Sequence, residues 1–292
     1  MILFLTNFVG RVHASRILKP VHEITQMANK ITHQDLSSRI KAKSFDKEMG
    51  SLIESLNEMI ARLEKSFNHI EEFSHHVAHE LKTPLTIIKG EADLLLRKER
   101  SKHEYQQALR ITLEESERVL KIIENLLLLA KLDYQPELFK FESFDFIEFF
   151  SEICEQCRIL AAQKSIGITM RTQGCKPPVM IKADNLHLRR LFFNIFDNAI
   201  KFTPPSGSID IRITPYQDKI MASITDSGPG IAQEHLNKIF DKFYRADNNK
   251  AGNGLGLNIA WSIAKLHGGE IFVESKPGHG TTFKIILPCV SV

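Results

Sequence analysis

One histidine has a carboxylate beside it and a proline five residues on, in His79-Glu80-Leu81-Lys82-Thr83-Pro84. Val77 and Leu81 fall on an apolar seam. His79 is two residues from each, about 200° round a helix, so it is predicted to face solvent. An exposed imidazole costs nothing to fold, and an inert solvated histidine is the plain alternative. Three neighbours favour chemistry. Glu80 can accept a proton from the imidazole, which makes the other ring nitrogen a better nucleophile. Thr83, at i+4, shares the face of His79. Pro84 lacks an N–H and clashes with the carbonyl of Glu80, which predicts a bend at this turn. His75 and His79 have the i, i+4 spacing of metal ligands. In the His-Glu-x-x-His zinc pattern, however, the second histidine would fall at Thr83, so that site lacks a ligand.

Three later segments converge on a nucleotide. Asn194 and Asn198 are one helical turn apart on one face, with Lys201 a turn further. Amide oxygens are hard ligands suited to Mg²⁺, and lysine is a phosphate partner. Asp226-Ser227-Gly228-Pro229-Gly230 ends a strand-like run. A carboxylate there can accept from an adenine amino group, and the glycines let the backbone approach the base. Gly252-Asn253-Gly254-Leu255-Gly256-Leu257 opens a helix, where free N–H groups and the positive dipole end face an anion. No Gly-Lys-Ser/Thr follows, so it is no Walker loop. The third glycine position of a dinucleotide fingerprint holds Leu257. Between the glycine segments, Ile239 to Arg245 and the polar run Ala246 to Ala251 read as a mobile lid, with Arg245 available to phosphates. Taken singly, each segment is also a polar helix face or a turn.

Two kinds of element must position these residues. Before about residue 137 the pattern is one of long helices. Leu52, Leu56, Met59, Leu63, Phe67, Ile70, Phe73, Val77 and Leu81 recur at spacings of three and four, a heptad-type seam that expects a partner subunit. Arg97 to His103 is a polar turn, and a further helix runs from about Glu104 to Asp133. Its apolar end, Ile122 to Ala130, is expected to be buried in a bundle. Two such helices bury little alone and make a four-helix bundle when dimerised. After Pro136, helices over Phe146–Gln163, Asn185–Lys201 and Leu255–His267 alternate with strands over Gly167–Arg171, Ser208–Thr214, Ile220–Thr225, Glu270–Ser275 and Thr281–Leu287. The last two strands flank a hairpin turn at Lys276 to Gly280. The expectation is an α/β sandwich of the α+β class, one mixed or antiparallel sheet with helices on one face.

Composition sets the outer bounds. The 292 residues are 43% hydrophobic, and 38 Lys and Arg against 35 Asp and Glu give a net charge of +3. That is a folded chain with no compositional case for nucleic-acid binding. Four cysteines make no disulfide scaffold, and Cys154 and Cys157, at i and i+3 on a helix, read as core. Met1 to Gly10 is apolar and Arg11, His13, Arg16 and Lys19 follow. That order matches the cytoplasmic end of a transmembrane helix.

The ordered set resembles a sensor histidine kinase of two-component signalling. Phe73 to Leu85 is similar to the family's phosphoacceptor box. The three nucleotide segments resemble its asparagine box and two glycine boxes, with the phenylalanine box between them. Pro20 to Phe67, including Glu48-Met49-Gly50, resembles a HAMP linker, and Gly90-Glu91-Ala92 is similar to heavy-metal-sensing members. The resemblance implies the end of a transmembrane helix at 1–18, a HAMP-like linker at 19–70, dimerisation and phosphotransfer helices at 71–137 and an ATP-binding domain at 138–292. It implies autophosphorylation of His79 with Glu80 as general base, and Thr83 positioning water in a phosphatase reaction. Asn194 and Asn198 would hold Mg²⁺ and phosphates beside Lys201 and Arg245. Asp226 would read adenine, and Gly228, Gly230, Gly254 and Gly256 would shape the pocket. The implied partners are a second copy of the chain and a response regulator, on the cytoplasmic side of the cell membrane. A regulator phosphatase, a non-catalytic ATP-binding scaffold and an ATPase of the gyrase or mismatch-repair type are the alternatives. The lid after Tyr244 is shorter than in many members, and Ala251 stands where a glycine is common.

Overall fold

The computed structural model describes residues 22, 25, 26, 36–40, 47–175, 178–246 and 252–290, the side chains of Lys47 and Glu48 excepted. The apolar N-terminal run, most of the HAMP-like stretch from Pro20 to residue 46, and lid residues 247–251 lie outside these. No helix among the described residues is long and apolar enough to cross a membrane. The chain divides into two compact units, Met1–His79 and Glu80–Val292.

Helix α1 spans Lys47–Leu96 and contains Pro84 without ending there. In the first unit Ile40, Ile53 and Ile60 form a small buried cluster, against which Met49 and Leu56 pack. Asn57 fixes the chain at Ile40 from both sides: its Oδ1 accepts from Ile40 N (2.9 Å) and its Nδ2 donates to Ile40 O (3.0 Å). This cluster lies one position along from the expected seam. The seam residues Leu52, Met59, Leu63, Phe67 and Ile70 stay 43–59% exposed. The helix therefore has two apolar stripes, one closed within the chain and one open.

Helix α2 spans Lys102–Tyr134. It starts on a reciprocal cap in which Ser101 Oγ accepts from Glu104 N and Glu104 Oε2 accepts from Ser101 N. These bonds hold the Glu104 carboxyl below its usual range. Ile122, Asn125, Leu128, Leu129 and Leu132 are buried. The apolar end was expected to be buried in a helical bundle. Within this chain one face lies against α6 (Gly256–Leu266) of the following domain, while Ile123 and Leu127 on other sides are 40% and 58% exposed. A run that is apolar on most sides can serve two partners, and only one of them is in this chain.

The α/β domain has a five-stranded sheet in the order β2-β4-β5-β7-β6, over Gly167–Thr172 (β2), Ser208–Tyr216 (β4), Lys219–Asp226 (β5), Glu270–Ser275 (β6) and Thr281–Pro288 (β7). Only β2 and β4 pair parallel, so the sheet is mixed. A separate two-stranded sheet pairs β1 (Glu142–Asp145) with β3 (Met180–Ala183). Neither strand was expected, because four residues are too few to show a periodicity. Along β4, Ile209, Ile211 and Ile213 are buried while Asp210 and Arg212 are exposed, the alternation of a sheet covered on one face. The cover includes α3 (Phe146–Ala162), α4 (Asn185–Phe202) and α6, and the one-turn α5 (Gln233–Leu236) lies against β6. Phe146, Phe150, Phe192 and Phe196 are fully buried between α3 and α4, with the Phe150 and Phe192 rings edge-to-face at 4.8 Å and 83°. Cys154 and Cys157 are in this core, and burial pushes both thiols up to about 12. Such thiols stay protonated and unreactive.

One buried histidine ties the domain together. His267 Nε2 accepts from the backbone N of Asp184 (2.9 Å) and Nδ1 lies 2.7 Å from Ile263 O, so the proton sits on Nδ1. Burial lowers its pKa below the usual value. Asp184 in turn caps α4 by accepting from His187 N (3.0 Å).

Candidate nucleotide site and histidine box

Helix α4, the end of β5, the start of α6 and the segment before it enclose a cavity of about 530 Å³. That is the size of a site for a nucleotide-scale ligand. Asn194, Asn198, Lys201, Asp226, Gly230, Arg245, Gly254 and Gly256 all line it. Gly228 does not; it stands behind Asp226 and donates its N–H to Asp226 Oδ1 at 2.8 Å. Thr281, opposite Asp226 in the β5–β7 ladder, donates a second N–H to the same oxygen at 3.2 Å. The carboxylate is 6% exposed. Burial raises its pKa, and the two N–H bonds offset part of that rise. Oδ1 is thus held by the backbone, which orients the second oxygen as an acceptor.

At the opposite wall, Asn198 Nδ2 donates to Asn194 O (3.1 Å) and so fixes its own amide. Asn194 Nδ2 is buried with no hydrogen-bond partner. A buried unpaired amide is costly in a folded chain and is explained when a ligand completes it. Gly254 has φ +65°, and a Cβ there would lie 2.5 Å from the backbone carbon of Phe243. Its bareness lets the loop before α6 close on the aromatic segment, where Phe243 N donates to Gly254 O at 3.0 Å. Lys201, Arg245, Arg118 and Lys121 give the cavity four basic side chains. The set matches a phosphate chain with a divalent cation: neutral amide oxygens, an unpaired amide donor and flanking cations.

The histidine box lies on α1 and is not among the described residues that line the cavity. His79 and Thr83 are exposed, as the helical phase predicts, and Glu80 is half-buried. The rings of His75 and His76 sit edge-to-face, 6.2 Å apart.

Comparison with known families places three domains along the chain. A HAMP domain model matches residues 14–65, and the His Kinase A (phospho-acceptor) model matches 69–135. The model of histidine kinase-, DNA gyrase B- and HSP90-like ATPases matches 183–291. The chain belongs to the sensor histidine kinases. Two curated relatives are the histidine-protein kinase ArlS of Staphylococcus epidermidis and the sensor histidine kinase CusS of Escherichia coli O157:H7. ArlS is 35% identical over 98% of this chain and 63% of its own length. CusS is 30% identical over 92% and 56%. The chain thus spans less than two thirds of either. A crystal structure of the histidine kinase ThkA, in complex with the response regulator protein TrrA, shares the fold. It has a TM-score of 0.62 and 24% identity over 77% of this chain and 64% of its own.

Several residues of the site escape a reading of its motifs. Gly280 has φ +79°, and a Cβ there would lie 1.9 Å from Asp226 O, so only glycine lets β7 reach the carboxylate. Asn258, buried on α6, donates to Phe240 O at 2.6 Å and ties the aromatic segment to that helix. His235 Nδ1 meets Tyr244 Oη at 2.7 Å. From α2, Arg118, Lys121, Ile122 and Asn125 line the cavity, and Asn125 Oδ1 accepts from Arg190 at 2.6 Å. The signal in the sequence is the polar pair Glu124-Asn125 inside an otherwise apolar run.

Proposed function

We propose that this chain is the cytoplasmic portion of a membrane sensor kinase that phosphorylates its own His79 from ATP and passes the phosphoryl group to an aspartate of a response regulator. The observation that carries this reading is the cavity, where a backbone-held carboxylate at one end faces amides and cations at the other. Adenine would pair with Asp226. Lys201 and Arg245 would hold the phosphates. Asn194 and Asn198 would hold Mg²⁺ against them. Mg²⁺ bound there would neutralise phosphate charge, and transfer of this kind depends mostly on positioning and charge neutralisation. A ring nitrogen of His79 attacks the γ-phosphorus as the bond to the ADP oxygen breaks, and Glu80 takes the proton from the other nitrogen. Thr83, one turn along, would orient water when the regulator is dephosphorylated. The open seam of α1 supports a homodimer. The apolar start at 1–18, the HAMP-like linker at 19–70, the phosphotransfer helices at 71–137 and the catalytic domain at 138–292 fit a signal passed inward from the membrane.

The test is incubation with Mg²⁺ and γ-labelled ATP. Label that is acid-labile, base-stable and absent from His79→Gln is the expected result. Nucleotide binding with no label would leave a scaffold, and label persisting in the variant would move the acceptor elsewhere.

A further inference from the structure

Arg118 touches both halves of this machinery, and its role depends on reading Glu80 as the base and the cavity as the nucleotide's. Glu80 and Glu115 each have a buried Oε2 that accepts no hydrogen bond. The Arg118 guanidinium lies 3.9 Å from Glu80 Oε2 and 3.8 Å from Glu115 Oε2. These are ion-pair distances, too long for hydrogen bonds. The side chains of Glu80 and Glu115 are each 19% exposed, while that of Arg118 is 44% exposed. Arg118 also lines the cavity beside Lys121, Asn194 and Arg245. The arginine therefore stands between two acids, hydrogen-bonded to neither of those oxygens, and also lines the cavity. A guanidinium fork matches phosphate oxygens in pairs, and that bidentate contact is stronger than a loose pair at nearly 4 Å.

We propose that Arg118 is a positioning residue with two alternating partners: the Glu80 carboxylate when the cavity holds no nucleotide, and the nucleotide's phosphates when it does. Filling the cavity then releases Glu80 from its cation, so the base becomes available as the phosphoryl donor arrives. Glu115, one turn back on α2, keeps the arginine near in both states.

Competition gives a sign that a structural role does not. Calorimetric titration of the full chain with Mg²⁺ and AMPPNP, a non-transferring ATP analogue, measures it without any phosphorylation. Arg118→Gln is expected to weaken binding about fivefold, the order of one screened charge pair, with part recovered in Arg118→Lys. Glu80→Gln is expected to tighten binding about two- to fivefold, because the competitor is gone. That gain must vanish in the Glu80→Gln, Arg118→Gln double variant. Unchanged affinity in Glu80→Gln, an equal gain on both backgrounds, or no loss in Arg118→Gln overturns the proposal. Failure of the underlying reading looks different: the unaltered chain would not bind the analogue, or labelling by ATP would survive His79→Gln.

Discussion

Asp226 and His79 are both polar side chains set for chemistry, yet they are held in opposite ways. Asp226 is 6% exposed and fixed by backbone N–H groups from Gly228 and from Thr281, 55 residues further along the chain. His79 is exposed in the middle of a long helix, where the helical repeat sets Glu80 and Thr83 beside it and Glu80 also lies 3.9 Å from Arg118 of α2. The first is a tertiary site: its geometry exists only when β5, β7, α4 and α6 have packed. The second is mainly a local site: the helical register alone sets His79, Glu80 and Thr83 in sequence, and Arg118 bears only on Glu80. Damage should therefore separate: backbone changes in the first region should cost fold and binding together, and changes in the second should cost chemistry alone.

The largest expected contrast is between Gly280→Ala and His79→Gln. A Cβ at Gly280 meets the Asp226 carbonyl at 1.9 Å with φ at +79°. Backbone on both sides must move, so a loss of about 2–4 kcal/mol is expected, together with nucleotide binding. His79→Gln changes an exposed helical residue, so its urea midpoint should match the parent to within about 0.5 kcal/mol while labelling disappears. Comparable destabilisation in the two variants would erase the distinction.

Asp226→Asn sharpens the tertiary side. The asparagine Oδ1 can still accept from Gly228 and Thr281, and the cost of burying a charge is gone, so the fold should not weaken. Its outward group, however, is a donor facing a donor. Nucleotide binding measured by calorimetry should fall by about one to two orders of magnitude, the value of a charge-assisted hydrogen bond. A drop in thermal midpoint as large as that of Gly280→Ala would mean the carboxylate is structural.

Which parts were legible in the sequence depends on the same contrast. The asparagine pair, the glycine segments and the histidine box are short-range patterns, and their spacing alone puts residues on one helical face or at one helix start. Strands β2 and β4–β7 show in runs of β-branched residues. Gly280 and Thr281 read as a hairpin end, because nothing local says that β7 will pair with β5 in the register Asp226↔Thr281. Strands β1 and β3 carry one apolar alternation each and gain their order from pairing together. The apolar end of α2 announced burial but not its partner, since several of its sides are apolar and α6 takes only one.

On the helical side, Ser101→Ala removes one half of the cap that starts α2, and the Glu104 carboxylate loses its hydroxyl partner. The expected cost is about 1 kcal/mol in the urea midpoint, with nucleotide binding unchanged. A change in affinity would mean that the start of α2 bears on the cavity.

The smallest effect is a pH dependence confined to the tertiary region. His267 is neutral in the fold: Nδ1–H donates to Ile263 O, and Nε2 must keep its lone pair to accept from Asp184 N. Its pKa in the folded chain lies below the 6.5 of the unfolded one because burial disfavours the cation. As pH falls through that range the unfolded chain takes up the proton first, so stability is fully present above it and is lost below. Between pH 7.5 and 6.0 a single group of this kind can remove no more than about 0.8 kcal/mol. The full chain should lose more than His267→Gln does over the same interval, by an amount within that limit, because glutamine does not titrate. Equal slopes would place the proton on His267 in the fold as well, and the bond from Asp184 N, which links α6 to the start of α4, would then need another acceptor.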